Sequence, residues 1–194
     1  MTKILVATTN PEKFSFAQRS LENVGLEAVQ TVLDIDEIQG EDPETIIKDK
    51  AARAYELLGE PILVTDDSWS FAGLRGFPGP YMKSMNHWFT PDDFARLISG
   101  LDDRLVTLQQ LVAYQDEHEC VVFRRDLTGQ LVDKPRGNGG VPLQKVVVMD
   151  EDREANMTIS EVIDAGEQHH PRRAAKRLAW DDFAEWYQTA RSID

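Results

Sequence analysis

Pro61-Ile62-Leu63-Val64-Thr65-Asp66-Asp67-Ser68-Trp69-Ser70-Phe71, followed by Gly76-Phe77-Pro78-Gly79-Pro80-Tyr81, is the stretch whose reading decides the fold. Ile62-Leu63-Val64 is an apolar run bounded by a proline and a polar cluster, and it predicts a short buried strand. Asp66 and Asp67 follow at once. Acids at the carboxyl end of a buried strand lie where open α/β sheets keep their ligands. They are also ordinary residues for capping a turn, and both readings stand on this stretch alone. Gly76–Tyr81, with two prolines and two glycines, predicts a rigid turn that is neither helix nor inner strand.

Outward from there, strand and helix alternate. Residues 3–8 predict a first buried strand. Asn10 is a good N-cap, and Pro11 suits the first helical position. Phe14, Ala17, Leu21 and Val24 recur on one helical face, and Gly25 is the expected stop. The loop Thr8-Thr9-Asn10-Pro11-Glu12-Lys13 would thus gather free N–H groups, a positive helix end and the Lys13 charge, which suits a phosphate. It lacks the spacing of a Walker loop. An ordinary capped helix with a solvated lysine fits the same residues. Residues 27–33 predict a second strand. Asp42 caps a second helix with Pro43 first, an apolar stripe through Ile46, Ile47, Ala51, Ala54, Tyr55 and Leu58, and Gly59 as the stop. Glu37 precedes this helix, within reach of the cleft that Asp66 would face. Converging carboxylates are the hard-oxygen donors that Mg²⁺ takes.

Beyond the turn, Thr90-Pro91-Asp92-Asp93 opens a helix that runs to Ile98. Trp88 and Phe89 are expected to pack beneath it. Leu105–Tyr114 and Cys120–Asp126 predict a hairpin, residues 128–132 a third antiparallel strand, and Leu143–Met149 another strand. Lys134–Gly140 reads as a flexible basic loop, residues 150–169 give no clear element, and Arg172–Ala190 predicts a helix. Trp180 and Trp186 are expected in the core or in a dimer contact. The pattern implies one α/β domain over residues 1–194, with a mixed central β-sheet flanked by helices.

The 194 residues carry a net charge of −13. A surface of that sign repels polyanions and argues against binding a nucleic-acid polymer. The single cysteine, Cys120, excludes an internal disulfide and a multi-cysteine metal site, and points to a reduced, cytoplasmic setting. No apolar stretch reads as a signal peptide or membrane span.

Taken in order, these fragments resemble the inosine triphosphate pyrophosphatases, the non-canonical purine nucleoside triphosphatases. The family's Thr-Gly-Asn-x-x-Lys is similar to Thr8-Thr9-Asn10-Pro11-Glu12-Lys13. Its Glu-x-Gln-Gly is Glu37-Ile38-Gln39-Gly40. Its Glu-Asp-(Ser/Thr)-Gly-Leu and Gly-x-Pro-Gly-(Pro/Ile)-Tyr resemble Thr65–Trp69 and Gly76–Tyr81. The resemblance implies a two-lobed fold with a cleft. It also implies Mg²⁺-dependent hydrolysis of a nucleoside triphosphate to the monophosphate and pyrophosphate, preference for deaminated purines, and a homodimer. By position, Thr8, Thr9, Asn10 and Lys13 would hold the triphosphate, and Glu37 and Asp66 the metal. Asp66, Asp67 and Lys13 would serve catalysis. An ungapped match selects Asp66 as the main acid, whereas a one-residue shift aligns Asp66-Asp67-Ser68 with the Asp-Asp-Ser of some members.

The chain also departs from that pattern. Thr9 replaces a glycine, Phe16 a glutamate, Thr65 an acid and Ser68 a glycine. Pro135-Arg136-Gly137 is kept, so Arg136 is a candidate substrate ligand, but the aromatic base clamp that should follow is absent. The nearest equivalents of the Ser-His-Arg motif are His170 and Arg172, interrupted by Pro171. Base choice thus has no visible source in the sequence. A nucleotide-binding or interaction module with little catalysis is the alternative to the hydrolase.

Overall fold

The computed structural model describes residues 2–166 and 177–191. Its elements run β1 (Thr2–Ala7), α1 (Pro11–Glu22), β2 (Leu26–Thr31), α2 (Pro43–Leu58) and β3 (Ile62–Phe71). These are followed by β4 (Pro78–Gly79), α3 (Met82–Trp88), α4 (Pro91–Ile98), β5 (Leu105–Gln115) and β6 (Cys120–Leu131). The last are β7 (Val147–Met149), α5 (Ile159–Ala165) and α6 (Ala179–Arg191). The strands form one seven-stranded sheet in the order β2-β1-β3-β5-β6-β7, with β4 on β3 alone. β1 is parallel to both β2 and β3, whereas β4 and β7 pair antiparallel with β3 and β6, so the sheet is mixed as expected.

The chain divides into two units. The first holds the described residues up to Asp67, Gln110–Arg125 and those from Arg177 on. The second holds Ser68–Gln109 and the described residues from Asp126 to Gly166. In the first unit, α2 presents Ile47, Ala51 and Ala54 to Ile62 and Val64 of β3 and to Leu111 and Ala113 of β5. Each fully buried Ile, Leu or Val side chain among them contributes about 1.5–3 kcal/mol. α6 lays Phe183, Trp186 and Tyr187 against Tyr114 and Phe123, ring to ring. The second unit has its own core, with Phe71, Phe94, Ile98, Val106, Leu143 and Val147 all fully or almost fully buried.

Three helix starts follow the sequence reading. Asn10, Asp42 and Thr90 all accept first-turn N–H groups through their side chains, and each is followed by proline. Thr90 and Asp93 complete a reciprocal capping box. In α5, which the sequence reading missed, Thr158 and Glu161 form a reciprocal box with Glu in place of Asp.

Several strand boundaries differ from expectation. β3 is not a short run ending at Val64 but continues through both aspartates to Phe71. Its register on β1 is Leu5↔Ile62 to Ala7↔Val64, and its far end is held by Trp69↔Gly79 and Ser70↔Pro78. The Gly76–Tyr81 turn thus folds back as a two-residue strand, with a cis Phe77–Pro78 peptide. Asp66 and Asp67 are therefore strand residues and not turn caps. Residues 128–131 belong to β6 and are not a separate strand. Gly129, within that stretch, pairs with Met149, and a Cβ there would stand 2.5 Å from the Val148 carbonyl. It marks a close backbone approach instead of a turn. Only Val147–Met149 of the expected 143–149 strand is extended, because Pro142–Lys145 forms a 3₁₀ turn. Phe89 joins the core, but Trp88 is 77% exposed.

The Lys134–Gly140 loop is pinned, not flexible. Lys145 donates through Nζ to the carbonyls of Gly137, Asn138 and Gly139 at 3.1, 2.6 and 3.3 Å. Asp164 accepts from Asn138 N and Gly139 N, and Ser160 Oγ donates to Gly139 O at 2.6 Å. The α6 helix starts at Ala179. Of the rest of the expected 172–190 helix, Arg177 and Leu178 are not helical, and residues 172–176 lie outside the described residues.

Substituting Gly129→Ala forces a methyl into the β7 backbone and should destabilise the fold by about 1–3 kcal/mol. A lower urea midpoint with an unchanged slope would register it.

Candidate active site

β1 stops at Ala7, opposite Val64. Asp66 and Asp67 therefore sit two and three residues beyond the parallel pairing, level with the loop into α1. This is the carboxyl end of parallel strands, where α/β sheets bind ligands. Successive strand residues point to opposite faces. Val64 faces the α2 side with Ile47 and Ala51, and the alternation places Asp66 on that face and Asp67 on the other.

Each face brings a lysine. Lys13 of α1 forms an ion pair with Asp67, Nζ to Oδ2 at 3.0 Å, with side chains only 21% and 28% exposed. Lys50 of α2 donates to Glu37 Oε1 at 2.6 Å and to the Thr65 carbonyl at 3.3 Å. Both ammoniums act on Asp66. Burial holds the Asp66 carboxyl above the ordinary aspartate range, against the pull of Lys50, Lys13 and the Asp67 N–H and with a push from Glu37. Asp67 N donates to Asp66 Oδ1 at 2.9 Å, which fixes the Asp66 carboxylate. Asp67 Oδ1 is buried and has no hydrogen-bond partner. An acceptor left bare in that way suits a cation or a polar ligand atom.

The loop at 8–13 is built differently from the expected cradle of N–H groups. Asn10 Oδ1 accepts from Glu12 N at 2.9 Å and from Lys13 N at 3.2 Å, and Asn10 O accepts from Phe14 N. Pro11 has no N–H. The first turn of α1 is satisfied internally, so its contribution to an anion is the Lys13 charge and not bare amides. Thr8 Oγ1 accepts from Asn10 N at 3.2 Å, and Gln30 Nε2 donates to Thr8 O at 2.9 Å. Thr8 and Asn10 shape the loop, while Thr9 is exposed. Lys13 is no solvated lysine, since it turns inward onto Asp67.

The structure thus brings Lys13, Glu37, Asp66 and Asp67 into one connected cluster in the first unit. Arg136 belongs to the second unit. Its Nη2 donates to Asn156 O at 2.6 Å, and its Nε stands 3.3 Å from Glu161. His170 and Arg172 lie outside the described residues. Lys50 is the member that sequence reasoning missed. The signal was present, for Lys50 lies three residues after Ile47 and four before Ala54, a cation within an apolar stripe. Among the described residues, no group of three or more His, Cys, Asp or Glu side chains converges as a ready metal cage.

The lysine–carboxylate pairs thus lie just beyond the parallel pairing of β1 and β3, where open α/β sheets bind ligands. Comparisons with known proteins show the family. The Ham1 family model matches residues 4–180. The dITP/XTP pyrophosphatase of Methanopyrus kandleri is 27% identical over 187 residues, 96% of each chain. Inosine triphosphate pyrophosphatase 2 of Trypanosoma cruzi is 33% identical over 151 residues, covering 77% of this chain and 76% of that one. Among solved structures, a HAM1 protein from Coxiella burnetii superposes with a TM-score of 0.76 at 18% identity, covering 97% of this chain and all of that one. The Staphylococcus aureus Ham1 protein gives 0.74 at 15% identity, covering 98% of this chain and all of that one. The chain belongs to the Ham1 family.

A carboxyl held high by burial binds its proton more tightly in the folded than in the unfolded chain. Its stabilising contribution is present below the ordinary carboxylate range and is lost as pH rises through the raised value. Asp66→Asn should therefore raise the melting temperature at pH 7 in metal-free buffer, by about 2–4 °C for each kcal/mol relieved. The gain should shrink towards zero near pH 4, as followed by calorimetry.

Proposed function

We propose that this protein is a nucleoside triphosphate pyrophosphatase, hydrolysing non-canonical purine triphosphates such as dITP, ITP or XTP to the monophosphate and pyrophosphate. The observation that carries this reading is the closure of Lys13, Lys50, Glu37, Asp66 and Asp67 around the middle of β3, just past its pairing with β1. Family membership and the activities named for the relatives point the same way.

Phosphoanhydride hydrolysis needs negative charge neutralised on the phosphates and a water aimed in line. Lys13 and Lys50 supply two positive charges to the phosphates. Asp66 is fixed by its neighbour's N–H, which suits it to orient a water and take its proton. Asp67 and Glu37, now on the two lysines, flank it. Hard oxygen donors on Asp66 and Asp67, one of them the unpartnered Asp67 Oδ1, fit Mg²⁺, which is commonly bound by one or two carboxylates plus substrate phosphates. Glu37 is the further donor. Bound there, Mg²⁺ would neutralise phosphate charge and polarise the phosphoryl oxygens. No helix among the described residues is long and apolar enough to cross a membrane. The single cysteine and the family resemblance support placing the enzyme in the cytoplasm as a homodimer.

Pyrophosphate release should be measured from dITP, ITP, XTP, dATP and dGTP, with Mg²⁺ and with chelator. Turnover is expected with Mg²⁺ only. Asp66→Asn and Lys13→Ala should each lower kcat/KM by about 10²–10³. No pyrophosphate from any triphosphate would overturn the assignment.

A further inference from the structure

Both site lysines are neutralised by carboxylates of the chain itself, Lys13 by Asp67 at 3.0 Å and Lys50 by Glu37 at 2.6 Å. With Asp66, three carboxylates face two ammoniums. A polyphosphate arriving alone meets no net positive field and must break ion pairs that are largely shielded from water. A dication arriving alone must compete with lysines for the same carboxylates. When the two arrive together, the phosphates take the ammoniums and the cation takes the carboxylates, and no charge is left unpaired. The bare Asp67 Oδ1 gives that exchange a starting point, since one oxygen of the carboxylate is unused while the other holds Lys13.

We propose that Asp67 and Glu37 act as internal counter-ions that block metal-free polyphosphate, so that the divalent cation and the polyphosphate bind with strong positive coupling through exchange of the Lys13–Asp67 and Lys50–Glu37 pairs. The proposal rests on the function proposed above and adds a thermodynamic device to it. Coupling of this kind is reciprocal, because whatever one ligand gains from the other must be returned.

The test is binding, not turnover. Inorganic tripolyphosphate is titrated calorimetrically in metal-stripped buffer into the wild type and into Asp67→Asn and Glu37→Gln. Each variant frees one lysine, and at least one should bind tripolyphosphate about threefold or more tightly than the wild type. The gain from Asp67→Asn should vanish in a Lys13→Met background, because relief of general repulsion would persist there whereas release of Lys13 would not. In the converse arm, Lys13→Met should bind Mn²⁺ alone more tightly than the wild type by electron spin resonance. Metal-free binding that is unchanged or weaker in both carboxylate variants overturns the proposal, as does a gain that survives Lys13→Met. Pyrophosphate release by the wild type, measured beside these titrations, separates failure of this inference from failure of the hydrolase reading.

Discussion

The site depends on one electrostatic constraint, that adjacent acids within a half-buried strand need counter-charges. β3 carries Asp66 and Asp67 past the end of β1, out of the apolar layer but not into open water. Burying an unpaired carboxylate is costly, and proteins answer by pairing it or by raising its affinity for a proton. Both answers are visible here. Asp67 is paired with Lys13, and the Asp66 carboxyl is held above its ordinary range even with two lysines nearby.

Those lysines are delivered by two helices whose starts are fixed locally. Asn10 with Pro11, and Asp42 with Pro43, set where α1 and α2 begin. Helical geometry then carries Lys13 to the first turn of α1 and Lys50 to the inward face of α2. Neither position favours a cation on local grounds. Lys13 sits at the positive end of a helix, and Lys50 interrupts an apolar stripe. Local choices that oppose the local rule and are compensated across the fold are expected at functional sites.

The second unit shows the opposite economy. Its loop after Pro135-Arg136-Gly137 contains no aromatic side chain, and Lys145, Asp164 and Ser160 are spent on holding the loop's own backbone. Arg136 is likewise held by Asn156 and Glu161.

Much was legible in the sequence because its causes are local. Caps, prolines and apolar periods fixed α1, α2 and α4, and the ordered motifs pointed to the family and its mixed sheet. The boundaries of β3, β6 and β7 were not legible, because strand length is set by partners distant in the chain. The close approach of β7 to Gly129 was likewise invisible in the sequence, since it comes from a strand that begins only at Val147. The amino-acid order by itself determined which residues could bear the chemistry, Lys13, Glu37, Asp66 and Asp67, since their types and spacing are covalent facts. Only the tertiary structure decided that Lys50 joins them, that the α1 amides are already satisfied, and that each lysine starts out neutralised. Ion pairing and burial are properties of through-space distance, which the sequence does not state.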